Sequence, residues 1–325
     1  MYLLKIYSFV FLFLTLLIFS AKAQNTTDFV AYFNAIDSKP VEISFSNQLK
    51  INNKGGHLQG IQRYKNINGE YFFLSGSSDK VAYCAVLKIN SENKIIQINH
   101  FFEKPFKHAG GFQIFENYLA VGIEDNDKKD KSKVCIYDIS NAEEKFGEPK
   151  LIIDRAGEPL RNTAGCVGIT FYNNKYLIAV GDWDTKHIDF YASNFSNNTE
   201  NIPEKISSID IEKVSKVGWI NNEWNSYQNI NLFNINNNLY LIGLGQNAKS
   251  ENIADLFEVT KETSVNFRLK KVAAKTFNCT GNCNFKAGAG IEFKEGEILL
   301  FACPYNIGKT SIINVFSKKV NHEKQ

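Results

Sequence analysis

The stretch HAGGFQIF at residues 108–115 decides the fold, because related stretches recur along the chain. The other copies are HLQGIQRY from residue 57, GCVGITFY from 165, SYQNINLF from 226 and AGAGIEFK from 287. Successive copies are 51, 57, 61 and 61 residues apart. Self-similarity at a period of this length indicates a repeat architecture.

Each copy is followed by a short polar turn and a second apolar run, such as YLAVGIED from residue 118. A third run then follows, as in KVCIYDI from residue 133. The turns contain pairs such as Asn68-Gly69 and Asn173-Asn174, which accept the positive φ of tight hairpins. With 26 Phe and 14 Tyr against one Met, the composition also favours strands. The pattern therefore predicts an all-β chain of repeated antiparallel sheets.

Five such sheets predict a five-bladed β-propeller, in which each sheet is shielded by its two neighbours. Only 38 residues follow Ala287, so the fifth copy lacks a fourth strand. Two strand candidates precede the first copy, FVAYF from Phe29 and VEISF from Val41, and one of them is expected to close the ring. A six-bladed propeller and a β-sandwich are the alternative interpretations.

The start of the repeat also carries a resemblance. Residues 108–111 read His-Ala-Gly-Gly, residues 57–60 match this in part, and the copies at Gly165, Ser226 and Ala287 have lost it. In this respect the chain resembles bacterial secreted β-propeller proteins with a His-x-Gly-Gly-like start to the inner strands. The resemblance implies the fold and no particular activity, because this fold carries hydrolases, lyases, phytases, lectins and scaffolds.

The N-terminus predicts an exported protein. Lys5 precedes an apolar stretch at 6–19 that ends near Ala21-Lys22-Ala23, which is typical of a secretory signal peptide. We expect a signal peptide at 1–23, a lead segment with the ring-closing strand at 24–56, and propeller repeats at 57–325. The predicted location is secreted or periplasmic, with no transmembrane segment after signal removal.

Charge and length restrict the partners. Removal of Lys5 and Lys22 lowers the formal net charge from +3 to +1, which gives no electrostatic reason to expect nucleic acid. The 302 remaining residues are acceptable as one all-β domain, and we expect a monomer.

Polar residues are predicted to gather on one face of the ring. In a four-stranded blade, the loop entering the innermost strand and the loop joining the second and third strands emerge on the same face. These loops contribute the candidate ligand-binding residues His57, His108, Glu124, Asp125, Asp182, Trp183 and Asp184. Imidazoles and carboxylates facing one funnel suit acid–base chemistry, a cation or a polar ligand. The indole of Trp183 suits a sugar or another flat ligand.

Two further patterns concern metals and disulfides. The aspartates at 125, 127 and 130 are similar to a calcium loop, but lysines intrude and the sixth-position glycine is missing. Calcium is therefore a candidate cofactor without an assigned metal ligand. Cys279 and Cys283 are predicted to form a disulfide, as suits an exported protein.

Two functional hypotheses follow. The favoured one is a non-enzymatic module that holds a small polar ligand, a glycan or a protein in the polar funnel. The alternative is a secreted hydrolase of a glycan or phosphoester, with or without calcium, in which His57 or His108 transfers protons and a carboxylate assists. The acids expected in five-bladed glycosidases are not found beside His57, which counts against glycoside hydrolysis.

Overall fold

The regular structure of the described residues is almost all β-strand. The computed structural model describes residues 29–196, 202–262 and 266–318. The predicted signal peptide lies outside these residues. Within them, residues 29–35 are helical, and no helix has the length and apolar character needed to cross a membrane.

In the described residues the strands form two eight-stranded sheets and one four-stranded sheet, which divide into five antiparallel groups of four. Group 1 contains β2 Leu58–Asn66, β3 Gly69–Gly76, β4 Val81–Ile89 and β5 Lys94–Glu103. Group 2 contains β6 His108–Phe115, β7 Tyr118–Glu124, β8 Lys131–Asp138 and β9 Leu151–Ala156. Group 3 contains β10 Cys166–Tyr172, β11 Lys175–Gly181, β12 His187–Ser193 and β13 Glu204–Asp210, with a short 3-10 turn at Trp183–Thr185. Group 4 contains β14 Asn229–Ile235, β15 Asn238–Gln246, β16 Asn252–Lys261 and β17 Phe267–Phe277. Group 5 contains β18 Ala289–Lys294, β19 Glu297–Ala302, β20 Thr310–Phe316 and β1 Val41–Ser46.

The first strands of the five groups contact one another in cyclic order. Strand β2 contacts β6, β6 contacts β10, β10 contacts β14, β14 contacts β18, and β18 returns to β2. Single parallel residue pairs also link β1 to β5 and β6 to β10. A β-sandwich of two facing layers does not produce a cyclic order of this kind.

The hydrophobic core is divided among the contacts between groups. One buried cluster lies between each consecutive pair of groups, and a further cluster lies between group 5 and group 1. Between groups 1 and 2, for example, Phe73 and Cys84 pack with Phe112 and Cys135. Each sheet therefore buries both faces, which explains why its central strands read as nearly continuous apolar runs.

The lead segment contributes both a strand and a helix. The alternating stretch from Val41 is β1, which pairs antiparallel with β20 in the register Val41 to Val315. The other strand candidate, FVAYF, is helical instead, and a strand there was the wrong prediction. Phe29, Phe33 and Ile36 recur at helical spacing, and all three are buried in the core between groups 4 and 5.

The paired glycines of the repeat start bring neighbouring first strands together. A Cβ on Gly110 would lie 2.2 Å from the carbonyl oxygen of Gly165, and one on Gly111 would lie 2.2 Å from that of Gln228. The amide of Gly111 donates to the Gly165 carbonyl at 2.9 Å. Only glycine permits this approach of backbone to backbone, which gives a physical reason for the Gly-Gly pair.

The predicted disulfide is not formed, because all six cysteines are free thiols. The thiol of Cys283 donates to the carbonyl of Ile312 at 3.0 Å and packs in the core between groups 4 and 5. Cys279 is half-buried at the edge of the same cluster. The three-residue separation in sequence therefore does not bring the two sulfurs together.

Candidate functional site

The two sets of loops meet where the first strands begin, and we call this end of the molecule the axial face. The carbonyl of His57, at the start of β2, accepts the amide of Ser77, at the end of β3. Ser77 in turn forms a β-bridge with His108, at the start of β6. Loops that are distant in sequence are therefore adjacent on this face.

Four side chains on this face form a connected group, the axial cluster: His57, Gln59, His108 and Glu124. The amide nitrogen of Gln59 lies 3.0 Å from Nε2 of His108 and 3.2 Å from Nε2 of His57. Nδ1 of His57 donates to the Leu58 carbonyl, so its Nε2 is the acceptor facing Gln59. Gln59 is 3% exposed and fixes the separation of the two imidazoles.

Glu124 lies beneath His108 and is 1% exposed. Its Oε2 accepts the amide of Ala164, just before β10, at 3.0 Å. Its Oε1 lies 3.1 Å from Nδ1 of His108, but neither atom has an aligned hydrogen-bond partner. The cluster therefore contains a buried carboxylate oxygen next to an imidazole, with hydrogen-bonding capacity to spare.

His57 is the outer member of the cluster. Burial is the main cause that lowers its pKa, and the positive charges of His108 and Lys286 act in the same direction, against the hydrogen bond to Leu58. Its ring stacks on Tyr305 with centroids 4.3 Å apart, and Tyr305 is 46% exposed. An aromatic surface therefore adjoins the polar cluster at the protein surface.

Asp182 forms a second carboxylate–imidazole pair on the same side of the molecule. It is 3% exposed and accepts hydrogen bonds from the amide of His187 at 2.8 Å and from Nδ1 of His187 at 2.7 Å. Burial raises the pKa of Asp182, although His187 opposes this. Asp182 and Glu124 both raise the pKa of the buried Cys166 thiol, after burial itself, so both carboxylates lie near the start of β10.

The other predicted site residues contact residues of neighbouring loops or lie outside the axial cluster. Asp125 is buried and its Oδ1 accepts the amides of Asp127 and Lys128, which shapes the loop. Trp183 is half-buried, and the Nζ of Lys129 lies 3.5 Å from the centroid of its ring. Asp184 is exposed, with a φ of 61°. The structure therefore brings together three of the seven predicted residues, His57, His108 and Glu124.

A buried ion-pair network that the sequence analysis did not predict anchors the loop before Ala164. Asp189, which is 1% exposed, accepts hydrogen bonds from Arg155 at 2.7 Å and from both terminal nitrogens of Arg161 at 2.8 and 2.7 Å. Arg155 also donates to the Arg161 carbonyl. This network anchors the loop that leads into Ala164, whose amide binds Glu124.

No group of three or more His, Cys, Asp and Glu side chains is arranged to hold a metal ion within the described ranges. A cavity of about 390 Å³ opens at the opposite end of the first strands, lined partly by Gln62, Gln113 and the ion pair of Arg63 with Glu292. None of the predicted site residues lines that cavity.

No family model and no curated protein sequence matches this chain. Its fold does match solved structures. The catalytic domain of a GH62 α-L-arabinofuranosidase from Coprinopsis cinerea aligns with a TM-score of 0.53 and 9% identity, over 86% of this chain and 98% of that domain. A second structure, described as a glycoside hydrolase, aligns with a TM-score of 0.52 and 8% identity, over 91% and 95% of the two chains.

An exo-β-1,3-galactanase from Phanerochaete chrysosporium aligns with a TM-score of 0.49 and 10% identity, over 88% of this chain. This chain covers 65% of the length of that galactanase. Identities this low establish a shared fold only. The fold shared with the two structures of higher TM-score is a β-propeller.

Proposed function

We propose that this protein is an exported, monomeric glycoside hydrolase on a five-bladed β-propeller, with its active site at the axial cluster. The blade number is supported by the five strand groups and the five cores between them. The location, periplasmic or extracellular, is supported by the signal-peptide pattern at residues 1–23. The substrate class is supported by a fold shared with glycoside hydrolases and by the chemistry of the cluster.

The environment of Glu124 is the observation that carries the proposal. Its carboxylate is buried, held by one backbone amide, and has its second oxygen against the half-buried imidazole of His108. A purely structural carboxylate would be expected to have both oxygens hydrogen-bonded. A buried carboxylate beside an imidazole at the axial face is suited to proton transfer.

Glycoside hydrolysis commonly requires two carboxyl groups, one of which protonates the leaving oxygen. We assign the second to Asp182, the other buried carboxylate–imidazole pair on this face, whose pKa is raised by burial against the hydrogen bonds from His187. To act as the acid, Asp182 exchanges its hydrogen bond with His187 Nδ1 for one with the leaving oxygen. In this assignment Glu124, with His108, removes a proton from the attacking water. Both carboxylates lie beside the start of β10, because Glu124 accepts the amide of Ala164 and the next amide, of Gly165, donates to the Gly181 carbonyl, which precedes Asp182.

The proposal is tested by measuring release of reducing ends from a panel of neutral and acidic polysaccharides. Glu124→Gln and Asp182→Asn are each expected to lower kcat by about 100-fold or more, because each removes an acid–base group. Glu116→Gln is the matched control, since Glu116 is an exposed acid at the β6–β7 turn. Full activity of both variants, or no product from the wild-type protein on any glycan, would contradict the proposal.

A second function, glycan binding without cleavage, is favoured by one observation. Tyr305 presents an exposed ring beside the cluster, stacked on His57 at an interplanar angle of 25°, and such rings suit the apolar face of a sugar. Only one carboxylate, Glu124, belongs to the axial cluster itself.

Retention on immobilised glycans distinguishes the two functions. Retention without product, lost in Tyr305→Ala and kept in Glu124→Gln, is the result expected of a binding module. Phe171→Ala is the matched control, because Phe171 is 41% exposed on the second-to-last residue of β10, at the opposite end of that strand from the axial face.

A further inference from the structure

A buried lysine in group 4 is unrelated to the axial cluster. Lys271, on β17, is 0% exposed. Its Nζ lies 2.9 Å from Oδ2 of Asp255 on β16 and 2.9 Å from Oδ1 of Asn221, in the connection between β13 and β14. A buried lysine, an acid and a side-chain amide therefore meet at one point.

Lys271 and Asp255 are shielded from water, while Asn221 is half-buried at the edge of the group. The Lys271 Nζ lies 5.6 Å from the centroid of the Phe257 ring and 5.9 Å from that of Trp219. Both aromatic residues are buried, and the Trp219 indole is fixed by a hydrogen bond to the Leu269 carbonyl. Reactants held in one geometry react as if at very high concentration.

Asp255 is held in position to transfer protons. Its Oδ2 accepts a hydrogen bond from the Tyr227 hydroxyl at 2.5 Å and one from the Asn225 side-chain amide at 3.0 Å, as well as that from Lys271. Burial, followed by the charge of Asp255, raises the pKa of Tyr227, so the hydroxyl stays protonated and acts as a donor. Among ionisable side chains, Asp255 is therefore the nearest proton acceptor for the Lys271 ammonium.

We propose that Lys271 forms an amide bond with the side chain of Asn221 in the folded protein. Asp255 takes a proton from the ammonium, and the neutral Nζ attacks Cγ of Asn221. The Nζ–Cγ bond forms and the Cγ–Nδ2 bond breaks. Asp255 passes the first proton to the departing nitrogen, then accepts the second proton that Nζ loses on becoming an amide and passes it on as well. The nitrogen therefore leaves as ammonium, and Asp255 ends as the carboxylate. No oxidant, reductant or cofactor is required, and the cross-link joins the β13–β14 connection to β17.

Mass spectrometry of the purified full-length exported protein tests this reaction. Loss of ammonia lowers the mass by about 17 Da, and a tryptic digest should contain one branched peptide joining Asn221 to Lys271, without cleavage after Lys271. The branched peptide is the decisive readout, because cyclisation of an N-terminal Gln24 would also remove about 17 Da.

Asn221→Ala should restore cleavage after Lys271 while keeping the ion pair with Asp255. Asp255→Asn should abolish the cross-link if it folds, as judged by circular dichroism. Asn222→Ala, at the exposed neighbouring position, is the matched control and should keep the branched peptide. Wild-type protein with free Lys271 and an intact Asn221 amide would overturn the proposal, as would a loss of about 18 Da mapped to Asp255.

Discussion

Replacement of Asp189 by Asn is expected to destabilise the protein strongly. Asp189 is 1% exposed, and the side chain of its partner Arg155 is 3% exposed, so the variant leaves a guanidinium buried without a counter-charge. Removing one partner of a buried ion pair costs about 3–5 kcal/mol. Lys205 also contacts Asp189 but is 45% exposed and adds little to this figure.

Thermal unfolding followed by circular dichroism measures the effect. For a chain of this size, about 2 °C of Tm corresponds to 1 kcal/mol, so Asp189→Asn should lower Tm by about 6–10 °C. The matched control is Asp154→Asn. The Asp154 side chain is 70% exposed, and the substitution removes its ion pair with Lys133. The control should change stability by less than about 0.5 kcal/mol.

Acid unfolding provides a second readout of the same residue. Burial opposes ionisation of Asp189, but the hydrogen bonds and charges of Arg161, Lys205 and Arg155 lower its pKa well below the ordinary range. A lowered folded-state pKa stabilises the protein above the ordinary carboxylate pKa, and this contribution is lost as pH falls through the folded-state value. The stability of Asp189→Asn should therefore depend less on pH in the acid range. This reasoning would be refuted if the free energy of unfolding of Asp189→Asn lay within about 1 kcal/mol of the wild-type value and depended on acid pH in the same way.

Three further predictions concern the ring, the helix and the axial cluster. Gly290→Ala should destabilise the protein by about 3 kcal/mol or more in urea unfolding, because the added Cβ would lie 1.7 Å from the Ile61 carbonyl oxygen; a value within error of wild type would contradict the tight first-strand contact. Phe29→Ala should cost about 3–5 kcal/mol in the same assay, since Phe29 is 1% exposed and packs on Phe293 and Tyr240; a change below about 1 kcal/mol would argue against the docked helix. The pKa of His57 is lowered by burial, so its contribution to stability is present above the ordinary histidine pKa and lost as pH falls below it. His57→Gln should therefore lose less Tm than wild type between about pH 7.5 and pH 5, and identical slopes would rule out this role.

The repeat predicted the all-β architecture because strands and tight turns follow from local sequence patterns. The copies quoted from the sequence contain, or run directly into, the first strands of the five groups, and the stretch from Val41 is the strand that pairs with β20. Helix 29–35 was missed because, over so short a length, its apolar residues fit the period of a strand as well as that of a helix. The Cys279–Cys283 disulfide was predicted from spacing, and spacing does not specify the direction of the Cβ atoms.

The positions of the candidate site residues followed from a similar argument, and their role as a site stays a prediction. Loop topology placed His57, His108 and Glu124 on one face, and they do lie together. The loop-internal bonds of Asp125 and the pairing of Asp182 with His187 depend on local backbone geometry that composition does not encode. The Asp189 network joins residues 28 and 34 positions apart, and nothing in the local sequence of either arginine indicates its partner.

The pairing of β1 with β20 has a consequence for how the molecule is made. Val41 is among the earliest described residues to be synthesised, yet its partner Val315 is among the latest. Group 5 therefore stays incomplete, and β1 waits without its antiparallel partner, until β20 has been synthesised. A chain arrested before β20 would leave β1 without its antiparallel partner, so the fifth group forms only after the other four have been synthesised.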